Sequence, residues 1–173
     1  FRDTAFPTIL GDKGKIGKKK HIIKKEPTSE TEKIFISHSE ETLEHLYNHP
    51  SVIYYTIFNE GWGQFDSVKA CEFYKKKDPT RLVDHASGWH DQGAGDFNSM
   101  HRYTVPVTGR KNDGRIFALT EYGGYSRVVS DHTWDESKSF GYMMFPTKKS
   151  LSKAYKFLHD TQVIQLIKKG LCA

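Results

Sequence analysis

No stretch of this chain approaches the roughly 20 consecutive apolar residues that a membrane-spanning helix needs, so no membrane partner is expected. Cysteine is scarce. Cys71 and Cys172 stand far apart and fit no metal-ligand spacing. They read as free thiols in a reducing compartment, which points to the cytoplasm, with a disulfide between them as the lesser alternative. The chain also lacks an initiator methionine and an apolar leader, as a fragment or a processed chain would. Its 173 residues suffice for one domain with a sizeable core, but not for the about 250 typical of a closed (β/α)8 barrel. Aromatic content is not lacking, at 13%, and with 36% hydrophobic residues it excludes a disordered chain.

The net charge of +5 comes largely from Lys13, Lys15, Lys18, Lys19, Lys20, Lys24 and Lys25, with more in Lys75, Lys76 and Lys77. The first run has no interleaved aromatics, which a nucleic-acid site would want. A solvated loop and a helix end account for both runs, and no nucleic-acid partner is expected.

Residues 1–33 read as a loop, or as a remnant of a preceding structural unit, because glycine and lysine alternate with no sustained period. A short helix is expected from the capping-box spacing of Ser37-His38-Ser39-Glu40, with Leu43, Leu46 and Tyr47 on one face, stopped by His49-Pro50. Residues 51–58 form an apolar run of strand length, of the kind buried on both faces in a parallel sheet. A helix over 65–77 follows, with Phe65, Val68, Phe73 and Tyr74 as apolar candidates. Strands are then expected at 81–85, 97–103 and 115–121, and a long helix over 146–169. In that last helix Leu151, Ala154, Tyr155, Leu158, Val163, Ile164 and Ile167 keep helical spacing, and Gly170 is a plausible stop. Strands alternating with helices imply a parallel α/β architecture over residues 34–173. Four strands make about half a barrel, and a further strand would naturally begin after Leu171.

Two of these strands end in a glutamate. Ile53-Tyr54-Tyr55-Thr56-Ile57-Phe58-Asn59-Glu60 runs into Gly61-Trp62-Gly63-Gln64, and Ile116-Phe117-Ala118-Leu119-Thr120-Glu121 runs into Tyr122-Gly123-Gly124. Paired carboxylates are what glycoside cleavage requires: one protonates the leaving oxygen, and the other attacks the anomeric carbon in retaining enzymes. The plainer account of either glutamate is a solvated strand end. Two matched occurrences after strands too apolar to be edges argue against it. Asn59 strengthens the case, because an amide beside the acid can hydrogen-bond a sugar 2-OH.

His49-Pro50-Ser51-Val52, Asn59-Glu60-Gly61-Trp62-Gly63-Gln64, Asp78-Pro79-Thr80-Arg81-Leu82-Val83, Ala86-Ser87-Gly88-Trp89, Glu121-Tyr122-Gly123-Gly124 and His132-Thr133-Trp134 occur in that order. Together they resemble glycoside hydrolase family 2, the β-galactosidase, β-glucuronidase and β-mannosidase group, from about residue 40 to about residue 145. The resemblance implies a partial (β/α)8 TIM barrel, approximately strands four to seven with their helices. It implies a retaining β-glycosidase with Glu60 as general acid/base and Glu121 as nucleophile, acting on a carbohydrate substrate. Asn59 matches the family's 2-OH contact, and Tyr103 resembles the tyrosine that hydrogen-bonds the nucleophile. For His101 a satisfied structural histidine is at least as good an account as substrate binding. Trp62 and Trp89 are placed to line sugar subsites or to pack their loops, and Trp134 with His132 to pack or to cover the pocket. Asp84, His85 and Asp91 are taken as solvated polar groups.

No cofactor is required by this sequence, and no metal-ligand cluster is read from it. The resemblance admits Mg2+ or Na+ near the acid/base. Relatives carry further domains before the barrel, so the chain alone is expected to be inactive, with uncovered barrel edges prone to self-association. The competing reading is a non-catalytic carbohydrate-binding or scaffold fragment that holds sugar on Trp62 and Trp89.

Overall fold

A computed structural model describes residues 28–109 and 112–171, together with two short antiparallel strands, β1 (Lys15–Ile16) and β2 (Lys19–Lys20). Of the loop expected over 1–33, residues 1–14, 17–18 and 21–27 lie outside the described residues, as does Cys172. Cys71 is a buried free thiol.

Helix α1 spans Ser29–Leu46 and starts well before the expected position. Thr28 is its N-cap, its side chain accepting from the Thr31 N–H at 3.2 Å, and Glu30 and Glu32 sit in the first turn where the helix dipole favours acids. Residues 29–33 are therefore helical rather than loop. The Ser37–Glu40 capping spacing is internal to the helix, where Ser37 donates to Glu41 instead. Phe35, Ser39 and Leu43 form the buried stripe.

Strands β3 (Tyr54–Asn59) and β4 (Leu82–Ser87) pair in parallel, as do β5 (Phe97–Arg102) and β6 (Ile116–Tyr122). The two pairs meet along a seam made partly by side chains. The Asp96 N–H donates to the Val83 carbonyl at 2.8 Å, the Asp96 carboxylate accepts from the Val83 N–H at 2.8 Å, and Ser99 Oγ lies 3.1 Å from Asp84 Oδ1. The architecture is mixed α/β with short strands, and no closed barrel forms among the described residues. Burial along β3 begins only at Tyr55. Ile53 and Tyr54 are exposed, so the apolar run is not covered on both faces along its whole length.

Helix α2 (Ser67–Lys77) packs through Ser67, Ala70, Cys71 and Tyr74, one stripe at spacings of three and four. Val68 is off that stripe and exposed, and Phe65 precedes the helix, so the expected apolar face is rotated. Phe65 instead meets Phe35 and Phe58 in an aromatic cluster, with Phe35 stacked on Phe58 at 5.3 Å. Each such fully buried ring is worth about 1.5–3 kcal/mol of hydrophobic free energy. A second core joins Met100 and Leu119 of the other strand pair to Leu158, Val163 and Leu166.

The C-terminal helix is interrupted. Helix α3 (Lys148–Leu158) passes through a wide turn, His159–Val163, into α4 (Ile164–Ile167). A wide turn inserts extra chain and shifts the phase of everything after it. Hence Leu158, Val163 and Leu166 are buried on one side, whereas Ile164 and Ile167 lie off that stripe and are exposed. Gly170 (φ +96°) ends the helix, and the Leu171 N–H returns to the Leu166 carbonyl at 3.0 Å.

Candidate active site

The strand pairs deliver their polar side chains at their C-terminal ends. Glu60 directly follows β3 with φ +52°, a left-handed conformation uncommon for a residue with a Cβ. Its N–H is held by the Ser87 carbonyl at 3.0 Å, and the Trp62 N–H turns back to the Asn59 carbonyl at 2.9 Å. Gly61 (φ +78°) and Gly63 (φ +64°) absorb the rest of the turn. The result is a sharply turned chain that presents the Glu60 side chain, only 11% exposed, towards β5 and β6.

There it meets Tyr103 and His101, which also contact Glu121. The Tyr103 hydroxyl lies 2.5 Å from Glu60 Oε1 and 2.5 Å from Glu121 Oε2. His101 Nδ1 is 2.8 Å from Glu60 Oε1, and its Nε2 is 3.6 Å from Glu121 Oε1. One oxygen from each glutamate and one imidazole nitrogen all lie within 4.8 Å of one another. A bulge between Met100 and His101 sets this arrangement, pairing His101 with Glu121 rather than Thr120. Bulges re-aim side chains in this way and recur beside active sites.

The electrostatics follow from burial and acidity. Burial, then the hydrogen bonds to Glu121 and Glu60, raise the Tyr103 hydroxyl well above the ordinary tyrosine range, so it remains a donor. One hydroxyl proton cannot serve two carboxylates at 2.5 Å. Behind the pair, Ser87 Oγ lies 3.1 Å from His101 Nε2 and 3.1 Å from Thr120 Oγ1. Gly88 (φ +81°) lets this strand end approach the imidazole, since a Cβ there would sit 2.4 Å from His101 Cγ. Asn59 is buried, and its Oδ1 has no hydrogen-bond partner among the described residues.

Other expected site residues fall at different depths. Trp62 is exposed in the loop after Glu60, and Trp89 is partly buried, with its ring 6.5 Å from that of His101. Trp134 and His132 are exposed, so packing is not their role; the polar segment around them provides no core. Asp84 and His85 are buried rather than solvated, because β4 is covered on both faces. Burial pushes the Asp84 carboxyl up to about 6, against hydrogen bonds from Ser99 and Ser87. Asp91 is partly buried and clamped by both Arg115 amines at 2.8 and 2.7 Å, which with the Gly93 N–H outweighs burial and lowers its carboxyl. Sequence reasoning overlooked Ser87, Gly88 and Thr120 as supports of His101. Ser87 and Gly88 lie inside the Ala86-Ser87-Gly88-Trp89 motif, which was the available signal.

Parallel strands whose C-terminal ends gather two carboxylates are the arrangement of α/β enzymes that act on sugars. Residues 7–111 match the family described as Glycosyl hydrolases family 2, TIM barrel domain, and the chain belongs to that family. No curated protein matches the chain. The matched span reaches back into the lysine-rich segment read as loop and ends before Glu121, so the case for Glu121 rests on its geometry. No helix among the described residues is long and apolar enough to cross a membrane.

Proposed function

We propose that this chain is the catalytic segment of a retaining β-glycosidase, and that β3, β4, β5 and β6 correspond to strands four to seven of the family's barrel. Glu60 protonates the glycosidic oxygen while a Glu121 oxygen attacks the anomeric carbon, giving a covalent glycosyl-enzyme. Glu60 then takes a proton from the water that releases the sugar. The observation carrying this reading is the single tyrosine hydroxyl 2.5 Å from both glutamates, with their oxygens inside 4.8 Å. Retaining enzymes hold their carboxyl groups about 5–5.5 Å apart, whereas inverting ones leave about 6.5–9.5 Å for a water. The buried Asn59 Oδ1 is an acceptor available to a sugar 2-OH. His101 orients Glu60, and Trp62 and Trp89 offer ring faces to the sugar.

A resident Mg2+ or Na+ fits the Glu60, His101 and Glu121 trio poorly. Those atoms already hold one another through Tyr103, and a cation among them would displace its hydroxyl and crowd the anomeric carbon. With about half a barrel, the chain alone is expected to turn over aryl β-glycosides poorly or not at all. The test therefore uses the full-length gene product. A 2-deoxy-2-fluoroglycoside should label Glu121 in stoichiometric fashion, and Glu121→Gln should abolish both labelling and turnover. Unchanged turnover in that variant would instead favour the non-catalytic carbohydrate-binding reading.

A further inference from the structure

The Tyr103 hydroxyl contacts both carboxylates only if its ring is held in place. Tyr103 is only partly buried, and its face is covered by one side chain from a distant segment. The Tyr142 ring stacks on it at 3.9 Å between centroids and 12° between planes. We propose that Tyr142 is a positioning residue of the reaction: its ring clamps Tyr103 so that one hydroxyl spans Glu60 and Glu121.

The backbone around Tyr142 is built for that contact. Strand β7 (Tyr125–Ser126) pairs in parallel with β8 (Met143–Met144), which fastens the far end of a long excursion back beside the end of β6. The Tyr142 N–H donates to the Gly124 carbonyl at 2.9 Å, and the Phe145 N–H to the Ser126 carbonyl at 2.9 Å. Gly124 (φ +62°) provides the seat, because a Cβ there would lie 2.4 Å from Tyr142 Cδ2. Gly141 is similarly confined, with a hypothetical Cβ 2.4 Å from that of Ser126. Tyr142 also meets Phe140, at 5.4 Å between centroids with the rings steeply inclined, and Phe140 is itself exposed. Tyr142 is thus 44% exposed and contributes little to either core, while one of its faces is committed to the ring that touches both glutamates. That combination is hard to explain by folding alone.

The inference rests on the glycosidase reading, and its test separates the two. In the full-length gene product, Tyr142→Ala should lower kcat by about tenfold to a hundredfold, the scale of a small misplacement at a reacting centre. KM and melting temperature should change little. Tyr142→Phe, which keeps the flat face, should restore most of the loss. Tyr142→Leu, which keeps bulk without that face, should not, and serves if the alanine variant folds poorly. Combining Tyr142→Ala with Tyr103→Phe should cost no more than Tyr103→Phe alone, since the two act through one hydroxyl. Full activity in both Tyr142→Ala and Tyr142→Leu, or losses that multiply in the Tyr103→Phe background, would overturn the inference while leaving an inactive Glu121→Gln enzyme as expected. An active Glu121→Gln enzyme would overturn the glycosidase reading beneath it.

Discussion

At the N-terminal end of β3 and β4, Tyr55 donates to Asp78 at 2.8 Å; at the C-terminal end, Tyr103 contacts Glu60 and Glu121. The two clusters use the same parts with different charge balance. Asp78 has a cation, Arg81 Nη1 at 2.5 Å, and the Thr80 N–H and hydroxyl besides. Arg81 spends its remaining donors on the carbonyls of Tyr47, His49 and Val52, tying the end of α1 to the strands. Burial pushes the Asp78 carboxyl up, but the hydrogen bonds from Thr80, Tyr55 and Arg81 outweigh it and hold it at about 2. Burial and Asp78 in turn push Tyr55 to about 12. Among the described residues no lysine or arginine pairs with Glu60 or Glu121. A balanced cluster locks its protons in place and stabilises the fold. In the other cluster two carboxylates share one tyrosine hydroxyl with no such counter-cation.

Removing one member from each cluster should break this contrast cleanly. Glu60→Ala should cost about 10²–10⁴-fold in turnover of a glycoside with a poor leaving group, the usual contribution of general acid catalysis. It should cost much less with a dinitrophenyl leaving group, and azide should rescue it, as comparative kinetics on the full-length protein would show. Asp78→Ala should destabilise the fold by about 3–5 kcal/mol, because it strands a buried guanidinium. Denaturant titration reads that loss, and turnover per folded molecule should be unaffected. Tyr103→Phe should lower kcat by about 10²-fold, as loss of one well-placed donor does, with little change in melting temperature.

The smallest effects sharpen the comparison through pH. Asp78 is depressed to about 2 from 3.8, so the stability it contributes is present above 3.8 and is lost as pH falls through about 2. Asp84 is raised to about 6 from 3.8, so its contribution has the opposite sign: full below 3.8, and lost as pH rises through about 6. Asp84→Asn should flatten the melting temperature between pH 3.8 and 6 without altering the acid limb. A variant that melts with the parent's slope over that range would contradict the assignment.

The candidate site is partly legible in the sequence. An apolar strand that runs into a glutamate, twice, marks where two carboxylates leave the sheet; Asn59 stands beside Glu60 at the end of β3, and His101 and Tyr103 lie at the end of β5. Local pattern could not show depth. Asp84 and His85 look like loop-edge polar groups, yet β4 has neighbours on both sides and buries them. Nor could it show phase: the wide turn at His159–Val163 brings Val163 and Leu166 round to the buried side of Leu158.

Strand order, the parallel α/β class and the placement of each glutamate at a strand terminus belong to the chain itself, because hydrophobic periodicity and glycine punctuation are local properties. Which atoms touch does not. The bulge that swings His101 towards Glu121 and the return of Tyr142 onto Tyr103 join residues 20 or more, and 39, positions apart. Such contacts depend on how whole elements pack, and only the folded structure decides them.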